Sequence, residues 1–306
     1  MKPKIYIDGQ AGTTGLEILQ RLSKRNDIEL ILIDEDKRKD TQERKKCMDA
    51  ADLVFLCLPD AAAIEAAELA DLQTKIIDAS TAHRCNDAWA YGFSELGGSF
   101  KNKIESSRRV ANPGCHATGF ISIVYPLVQL GFLHVDDAIT AFSLTGYSGG
   151  GKKMIAQYEA GGNPSLLAPQ LYGLQLTHKH LPEMKKICGL KKDPLFCPIV
   201  DDYYRGMAVS VMLEADAQEV HAALSSFYGE GLVHVQPFGY SGNISANTMA
   251  GRDDLTLIVN GRKEQTIVTA LFDNLGKGAC GAAIQNMNIM LGFDPYTGLN
   301  VKRGEQ

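Results

Sequence analysis

Lys4–Asp8 (Lys-Ile-Tyr-Ile-Asp) runs straight into Gly9-Gln10-Ala11-Gly12-Thr13-Thr14-Gly15, and an apolar-patterned segment follows at 16–22. That order of strand, glycine turn and helix constrains the fold more than any other stretch. A strand followed by a helix returns to its sheet as a parallel neighbour, because parallel pairing needs a crossover connection. The pattern then repeats. Residues 29–34 and 52–58 read as second and third apolar strands, the latter stopped by Pro59. An alanine-rich helix at 61–72 and a fourth strand at Lys75–Asp78 come next. Within 16–22, Leu16, Leu19 and Leu22 fall near helical spacing and are the expected buried face. The polar stretch 34–46 reads as a solvated loop and helix face.

Beyond residue 115 the pattern changes. Residues 138–144, 207–214, 255–259 and 267–272 read as longer strands with fewer helices between them, which predicts a mostly antiparallel sheet. Residues 275–291 read as a closing helix capped by Asn274. Gly276, Gly278, Ala279, Gly281 and Ala282 keep its first turns slim, and Ala283, Ile284, Met287 and Leu291 form one apolar stripe for core packing. At 306 residues the chain is long enough for two cores. The expected architecture is α/β, in two domains. A doubly wound, Rossmann-type cofactor domain takes 1–113 with 276–306. A mixed α/β catalytic and oligomerisation domain, built on a mostly antiparallel sheet, takes 114–275.

Composition excludes more than it selects. With 45% hydrophobic residues and a formal net charge of -5, nothing electrostatic invites nucleic acid or an anionic membrane. No apolar run approaches the ~20 residues that span a bilayer, and the N-terminus lacks a signal-peptide apolar region. The seven cysteines are odd in number and scattered, with no Cys-x-x-Cys pair. That argues against a zinc knuckle or a dithiol redox motif, so no metal is expected, and reduced thiols place the chain in the cytoplasm.

The glycine turn carries the first functional expectation. Its spacing is G-x-x-G-x-x-G rather than the dinucleotide fingerprint G-x-G-x-x-G. The physics is the same: glycines let backbone approach a pyrophosphate, and the helix start supplies N–H donors. After the second strand, Asp34 is suited to a ribose hydroxyl, favouring NAD, while Lys37, Arg38 and Lys39 suit a 2′-phosphate, favouring NADP. Residue types alone leave that choice open.

Asn112-Pro113-Gly114-Cys115 lies between a strand-like end, Val110-Ala111, and a long apolar run at 120–128. Asn is a helix-capping residue and Pro suits the first helical position, which puts Cys115 in the first turn of a helix. Orphan N–H groups and the positive end of the helix dipole there favour a thiolate, so Cys115 is a candidate nucleophile. His178 and His180 are the only close histidine pair. In an extended segment their rings share a face, and one of them can serve as acid/base near neutral pH. The stretch Gly146-Tyr147-Ser148-Gly149-Gly150-Gly151-Lys152-Lys153 resembles a P-loop but has Lys153 where a Mg²⁺-binding hydroxyl belongs. Nucleotide hydrolysis is thereby disfavoured. Ser148 and Gly149 remain candidates for holding a phosphate-bearing substrate.

Five ordered segments then carry a resemblance over nearly the whole chain. They are Asp78-Ala-Ser-Thr-Ala-His-Arg84, Trp89-Ala-Tyr-Gly-Phe-Ser-Glu-Leu96, Val110-Ala-Asn-Pro-Gly-Cys115, His178-Lys-His-Leu-Pro-Glu183 and Asp273-Asn-Leu-Gly-Lys-Gly-Ala-Cys-Gly-Ala-Ala-Ile-Gln-Asn-Met-Asn288. With them the chain resembles the N-acetyl-γ-glutamyl-phosphate reductases of arginine biosynthesis, in their shorter form, within the aspartate-semialdehyde dehydrogenase superfamily. The resemblance implies an NADP(H)-dependent oxidoreductase that reduces N-acetyl-L-glutamyl 5-phosphate through a thioester on Cys115. It implies that Gly9, Gly12, Thr13, Thr14 and Gly15 hold cofactor phosphates, that Asn286 lies near the nicotinamide, and that Arg84 lies near the substrate. An Arg84 grip on the substrate carboxylate would be bidentate. His180 is favoured over His178 as acid/base. Relatives form dimers or tetramers, so a homodimer or homotetramer is expected. Two departures stand out: His116 follows the nucleophile where many relatives carry Tyr, and Asp34 sits where a 2′-phosphate must be accommodated. The rival with the same chemistry is aspartate-semialdehyde dehydrogenase. The rival of another class is a non-catalytic NADP(H)-binding sensor, which would show no phosphate-dependent reduction.

Overall fold

The first strand forms at Lys4–Asp8 (β1), and the helix after the glycine turn is Thr13–Leu22 (α1) in the computed structural model, which describes residues 1–301. The alternation continues through Glu29–Ile31 (β2), Thr41–Asp49 (α2), Leu53–Leu56 (β3), Asp60–Leu69 (α3), Lys75–Asp78 (β4), Ala90–Tyr91 (β5), Gly98–Ser106 (α4) and Arg109–Ala111 (β6). These six strands form one all-parallel sheet in the order β2-β1-β3-β4-β6-β5.

Period-two alternation sorts its side chains onto two faces. Ile5, Ile7, Leu53, Phe55 and Ile77 pack with Ile18 and Leu22 of α1, Ile104 of α4 and the closing helix Gly281–Leu291. Tyr6, Val54, Leu56 and Ile76 face the other way, onto Met48 of α2 and Ala66 of α3. Two apolar faces, each covered by helices, make the unit doubly wound. The strand order reverses between β1 and β3, and register pairs Asp8 with Leu56 at their carboxyl ends. That crevice is where open α/β sheets bind ligands.

Three local expectations are corrected here. In α1 the buried residues are Gly15, Ile18 and Leu22, whereas Leu16 is 42% exposed. The three-residue leucine spacing had drawn the apolar face to one side of its true centre. The stretch 34–46 is not wholly solvated, because Arg44 of α2 is buried against Asp8, with Nη2 donating to Oδ2 at 2.7 Å. The closing helix is buried along its whole length from Gly281 to Met290 and not along one stripe. Its polar members find partners: Gln285 donates to Glu95, and Asn288 accepts from Arg25 and donates to the carbonyls of Pro295 and Thr297. A helix buried all round belongs to a core.

The second unit begins with Cys115–Gln129 (α5) and carries Thr140–Gly146 (β7), Gly151–Glu159 (α6), Gln170–Leu171 (β8), Leu181–Cys188 (α7), Leu195–Asp201 (β9), Met207–Leu213 (β10), Ala217–Phe227 (α8), Val233–Val235 (β11), Leu255–Arg262 (β12) and Gln265–Phe272 (β13). Its seven strands run β11-β12-β13-β10-β7-β9-β8. The central pairs β12·β13, β13·β10 and β10·β7 are antiparallel, as is β9·β8, while β7·β9 and β11·β12 are parallel. The sheet is thus mixed and mostly antiparallel.

The chain divides at Gly114/Cys115 and at Gly278/Ala279, and Asn300 groups with the second unit. Expectation had put all of 276–306 with the cofactor domain. Asn300 instead accepts from the Asp253 N–H at 2.9 Å and donates its own N–H to the Asp253 carboxylate at 2.7 Å.

Candidate active site

In the first unit the glycine turn is shaped by backbone crowding. Gly9 has φ +89°, and a Cβ there would collide with the Cys57 carbonyl, whose carbon would lie 2.8 Å away. A Cβ on Gly15 would run into the Gly9 carbonyl and sit 3.0 Å from Gln10 Cα. Gly12 differs, since its φ is −74° and a Cβ would meet only ordinary contacts at 3.4 and 3.7 Å. Gly12 stands at the cap position of α1 with no side-chain cap, so the first N–H groups of the helix, those of Thr13, Thr14 and Gly15, face the turn. This is a cradle for an anion such as a pyrophosphate, and it lies at the sheet's switch point. Past β2, Asp34 is exposed and pairs with Lys37 at 3.4 Å, while Arg38 pairs with Glu35 at 3.3 Å.

The ends of β4 and β6 are knitted by buried polar contacts. Asp78 accepts from Ser80 N–H and Oγ and contacts His83 Nδ1 at 2.7 Å, and His83 stacks on Trp89 with centroids 3.9 Å apart. Arg84 spends its Nε on the Asn112 carbonyl (2.8 Å) and an Nη2 on the Ala79 carbonyl (3.0 Å). The Nε/Nη2 edge is therefore committed to backbone. Asn112 does not cap a helix. Its amide donates to the Ala279 carbonyl (3.0 Å), and its Oδ1 accepts from Asn286 (3.1 Å). Asn286 is itself buried and also donates to the Gly92 carbonyl. Pro113 likewise precedes the helix, which opens at Cys115.

In the second unit Cys115 is half-buried and is the first residue of α5. The positive end of the helix dipole and the orphan N–H groups therefore belong to its own turn. Room for it is made by Gly278, where a Cβ would lie 3.0 Å from Cys115 Cβ. One turn on, Gly119 lets α5 lie directly on the sheet, because a Cβ there would be 2.7 Å from Val209 Cβ and 2.8 Å from Phe272 Cε1.

The histidines meet, but not in an extended strand. His178 and His180 lie in a turn entering α7, with His180 helical at φ −89°, ψ −7°. Their ring centroids are 4.8 Å apart, and both rings lie against His116, at 5.1 and 5.7 Å. His178 Nδ1 accepts the His180 N–H at 3.2 Å, so one of its ring nitrogens is bound to backbone. His116 is 4% exposed, with Nδ1 at 2.8 Å from Ser143 Oγ and Nε2 at 2.8 Å from Tyr172 Oη. Burial lowers His116 to about 3 and His178 to about 4, with the nearby Lys179 charge pushing the same way. Burial also raises the Tyr172 phenol above its ordinary value, and the charge of Cys115 adds to that. Three imidazoles in contact suggest zinc, yet no three metal-binding side chains are arranged to hold an ion among the described residues.

The remaining expected site residues, Ser148 and Gly149, lie just past the end of β7. Ser148 is buried and its Oγ accepts from Asn274 Nδ2 at 2.9 Å, while the neighbouring Gly149 is exposed. Asn274 is not the cap of the closing helix, since its Oδ1 accepts from the Gly206 N–H. The cap position of Gly281–Leu291 is Cys280, which has no side-chain cap, while the fully buried Asp273 accepts from the Leu275 and Gly276 N–H groups through Oδ1 and from Arg205 and the Gly251 N–H through Oδ2. A wide turn at Gly276–Cys280 then precedes the α-helical part. Sequence reading had missed Ser143, Tyr172 and Asp273 as site-building residues, because nothing local marks a partner 27 or 56 residues away.

The first unit supplies a dinucleotide-type anion cradle. The second supplies a thiol at a helix start, followed at once by a buried neutral imidazole and within electrostatic reach of a buried phenol, a set that suits covalent acyl transfer. Comparison with known proteins agrees. Residues 4–104 match the family described as semialdehyde dehydrogenase, NAD binding domain, and residues 115–274 match semialdehyde dehydrogenase, dimerisation domain. Proteins named N-acetyl-gamma-glutamyl-phosphate reductase from Brucella ovis and Brucella suis biovar 1 are each 45% identical over 309 residues, covering 95% of this chain and all of theirs. Among solved structures, aspartate semialdehyde dehydrogenase II from Vibrio cholerae aligns with TM-score 0.73 at 17% identity, covering 95% of this chain and 99% of its own. Aspartate semialdehyde dehydrogenase from Francisella tularensis aligns with TM-score 0.71 at 13% identity, over 94% and 100%. At those identities the structures speak for the fold alone.

Proposed function

The chain belongs to the N-acetyl-γ-glutamyl-phosphate reductase family, and from that premise we propose that Cys115 and His180 carry its reaction here. The reaction is the NADPH-dependent reduction of N-acetyl-L-glutamyl 5-phosphate to N-acetyl-L-glutamate 5-semialdehyde and phosphate. The observation that carries the assignment is Cys115 at the first position of α5, with the histidine turn packed against the very next residue.

His180 takes the thiol proton of Cys115, and the thiolate attacks the acyl carbon. A C–S bond forms, the C–O bond to phosphate breaks, and phosphate leaves with the electron pair. Bound NADPH supplies a hydride to the thioester carbonyl. The N–H groups of the first turn of α5 are placed to stabilise the oxyanion, at about 3 kcal/mol per donor. Collapse returns the electron pair to Cys115 sulfur and releases the aldehyde, and His180 returns its proton. His178 holds His180 in place through the Nδ1 contact to its N–H. The cofactor diphosphate is assigned to Gly9, Gly12, Thr13, Thr14 and Gly15, where the crowded backbone leaves Gly12 open to a ligand. Lys37, Arg38 and Lys39 are assigned to the 2′-phosphate, with Asp34 already paired to Lys37 at the surface. Asn286 holds Asn112 and with it the loop that leads into Cys115, and Arg84 does the same through the Asn112 carbonyl. The dimerisation-domain match over 115–274 supports a homodimer or homotetramer, and seven cysteines without a disulfide support a cytoplasmic setting.

The test runs the reaction in reverse, following NADP⁺ reduction by N-acetylglutamate semialdehyde with and without inorganic phosphate. Phosphate-dependent reduction that vanishes in Cys115→Ser, with NADP⁺ binding kept within severalfold, is the expected result. A preference for aspartate semialdehyde would move the chain to the rival substrate. Cofactor binding with no turnover on either aldehyde would overturn the catalytic reading.

A further inference from the structure

His116 is joined to two hydroxyls from distant parts of the second unit, Ser143 Oγ on β7 and Tyr172 Oη just past β8, each at 2.8 Å. Ser143 is fully buried and His116 nearly so. The ring is boxed in by His178, His180 and Phe196, with Phe196 at 5.3 Å and near-perpendicular. A neutral imidazole has one N–H donor and one acceptor nitrogen, and a hydroxyl can meet either. Two arrangements therefore satisfy the same geometry. In one, Nδ1–H donates to Ser143 and Tyr172 O–H donates to Nε2. In the other, Ser143 O–H donates to Nδ1 and Nε2–H donates to Tyr172 oxygen, which leaves the phenol proton free to point elsewhere. Burial keeps the ring neutral, so both arrangements stay within one charge state.

We propose that His116 is a positioning residue: backed by Ser143, it fixes the Tyr172 hydroxyl beside the first turn of α5 and switches that hydroxyl between donor and acceptor. This rests on the reading of Cys115 as the nucleophile. Tyr172 lies within electrostatic reach of Cys115, so a phenol held there acts on the charge that forms and disappears on sulfur. The same contact pins the segment that runs on to His178 and His180. His116 touches no reacting atom; its work passes through Tyr172.

The geometry makes a specific forecast for substitutions. A glutamine side chain places its amide near the position of Nε2, whereas an asparagine amide falls near Nδ1. His116→Gln keeps the Tyr172 bond, His116→Asn keeps only the Ser143 bond, and His116→Phe keeps neither. Measured on phosphate-dependent NADP⁺ reduction, His116→Phe and Tyr172→Phe each lower kcat by about 10- to 100-fold, with KM within about threefold. The double variant is no worse than the poorer single, because the two act as one unit. His116→Gln recovers most of kcat and His116→Asn does not. The rate of Cys115 alkylation by iodoacetamide, read by peptide mass, falls in the same order. Equal behaviour of the Gln and Asn variants, or losses that multiply in the double variant, overturns the proposal. Should His116→Phe fail to fold, the Gln/Asn pair alone decides it, since both are polar and smaller than or similar in size to the imidazole. Alkylation needs no substrate. If the wild type lacks turnover, the functional reading fails while the alkylation series still reports on His116.

Discussion

Gly119→Ala is the substitution with the most closely defined consequence. On helix propensity alone it is favourable by about 1 kcal/mol, because alanine loses less backbone freedom. Packing opposes it. The added Cβ would overlap Val209 Cγ2 and stand 2.7 Å from Val209 Cβ and 2.8 Å from Phe272 Cε1. Carbon atoms rest at about 3.5–4.0 Å, so the deficit is roughly an ångström at each. A new Val209 rotamer moves Cγ2 but leaves Cβ where it is. Relief must therefore come from α5 lifting off β10 and β13, and a close-packed interior yields at a cost of about 1–3 kcal/mol or more. Set against the propensity gain, the net loss reaches about 2 kcal/mol, a fall in Tm of several degrees. The functional effect is larger, since Cys115 rides on the same helix one turn earlier and a displacement of about 1 Å can cost ~100-fold in rate. The expected result is a modest drop in Tm with a ~10- to 100-fold drop in kcat/KM. Adding Val209→Ala removes one of the clashing atoms and restores part of both. The assays are thermal melting and the phosphate-dependent reduction of NADP⁺. A Gly119→Ala protein with wild-type Tm and wild-type rate would refute the argument that this glycine sets the height of the nucleophile.

Three other outcomes follow from the same geometry. Gly12→Ala should melt like the wild type yet bind NADP⁺ at least tenfold more weakly, whereas Gly9→Ala loses stability as well; calorimetric titration and melting separate the two. His180→Gln should lower kcat by about 10²- to 10⁴-fold, while His178→Asn, whose carbonyl can still accept the His180 N–H, should lose less than tenfold. Comparable losses from both would reverse the assignment. The third outcome concerns pH. His116 and His178 are depressed in the folded state, to about 3 and about 4, against about 6.5 unfolded. Between those values the unfolded chain binds more protons, so the contribution of these rings is complete above about pH 6.5 and is lost as pH falls, through about 4 for His178 and about 3 for His116. Denaturant titrations across that window should show the slope reduced in His116→Gln, and an unchanged slope would contradict a buried neutral ring.

Residues close in sequence announced their own structure. The strand, glycine turn and helix at the N-terminus, the alternation that makes a parallel sheet, and the cysteine at the start of a helix all rest on local geometry and periodicity. These are properties of a few consecutive residues and survive being read alone. Where local rules competed, sequence was a poorer guide. Asn274 and Asp273 are both capping types, and only packing decided that Asp273 takes the Leu275 and Gly276 N–H groups while Asn274 turns to Gly206 and Ser148. The leucines of the first helix suggested one face, and the sheet selected Gly15, Ile18 and Leu22 instead.

The tertiary structure alone decided which distant groups meet. His116 reads as a substitution beside the nucleophile until β7 and the loop after β8 bring Ser143 and Tyr172 to its two nitrogens. Gly119 reads as a weak point in a helix until Val209 and Phe272 are found against it. Periodicity along a chain says which side of an element is apolar, but carries no address for the element that will cover it. That address is set by the sum of packing across the sheets, and with it the surroundings of the one cysteine the sequence had already singled out.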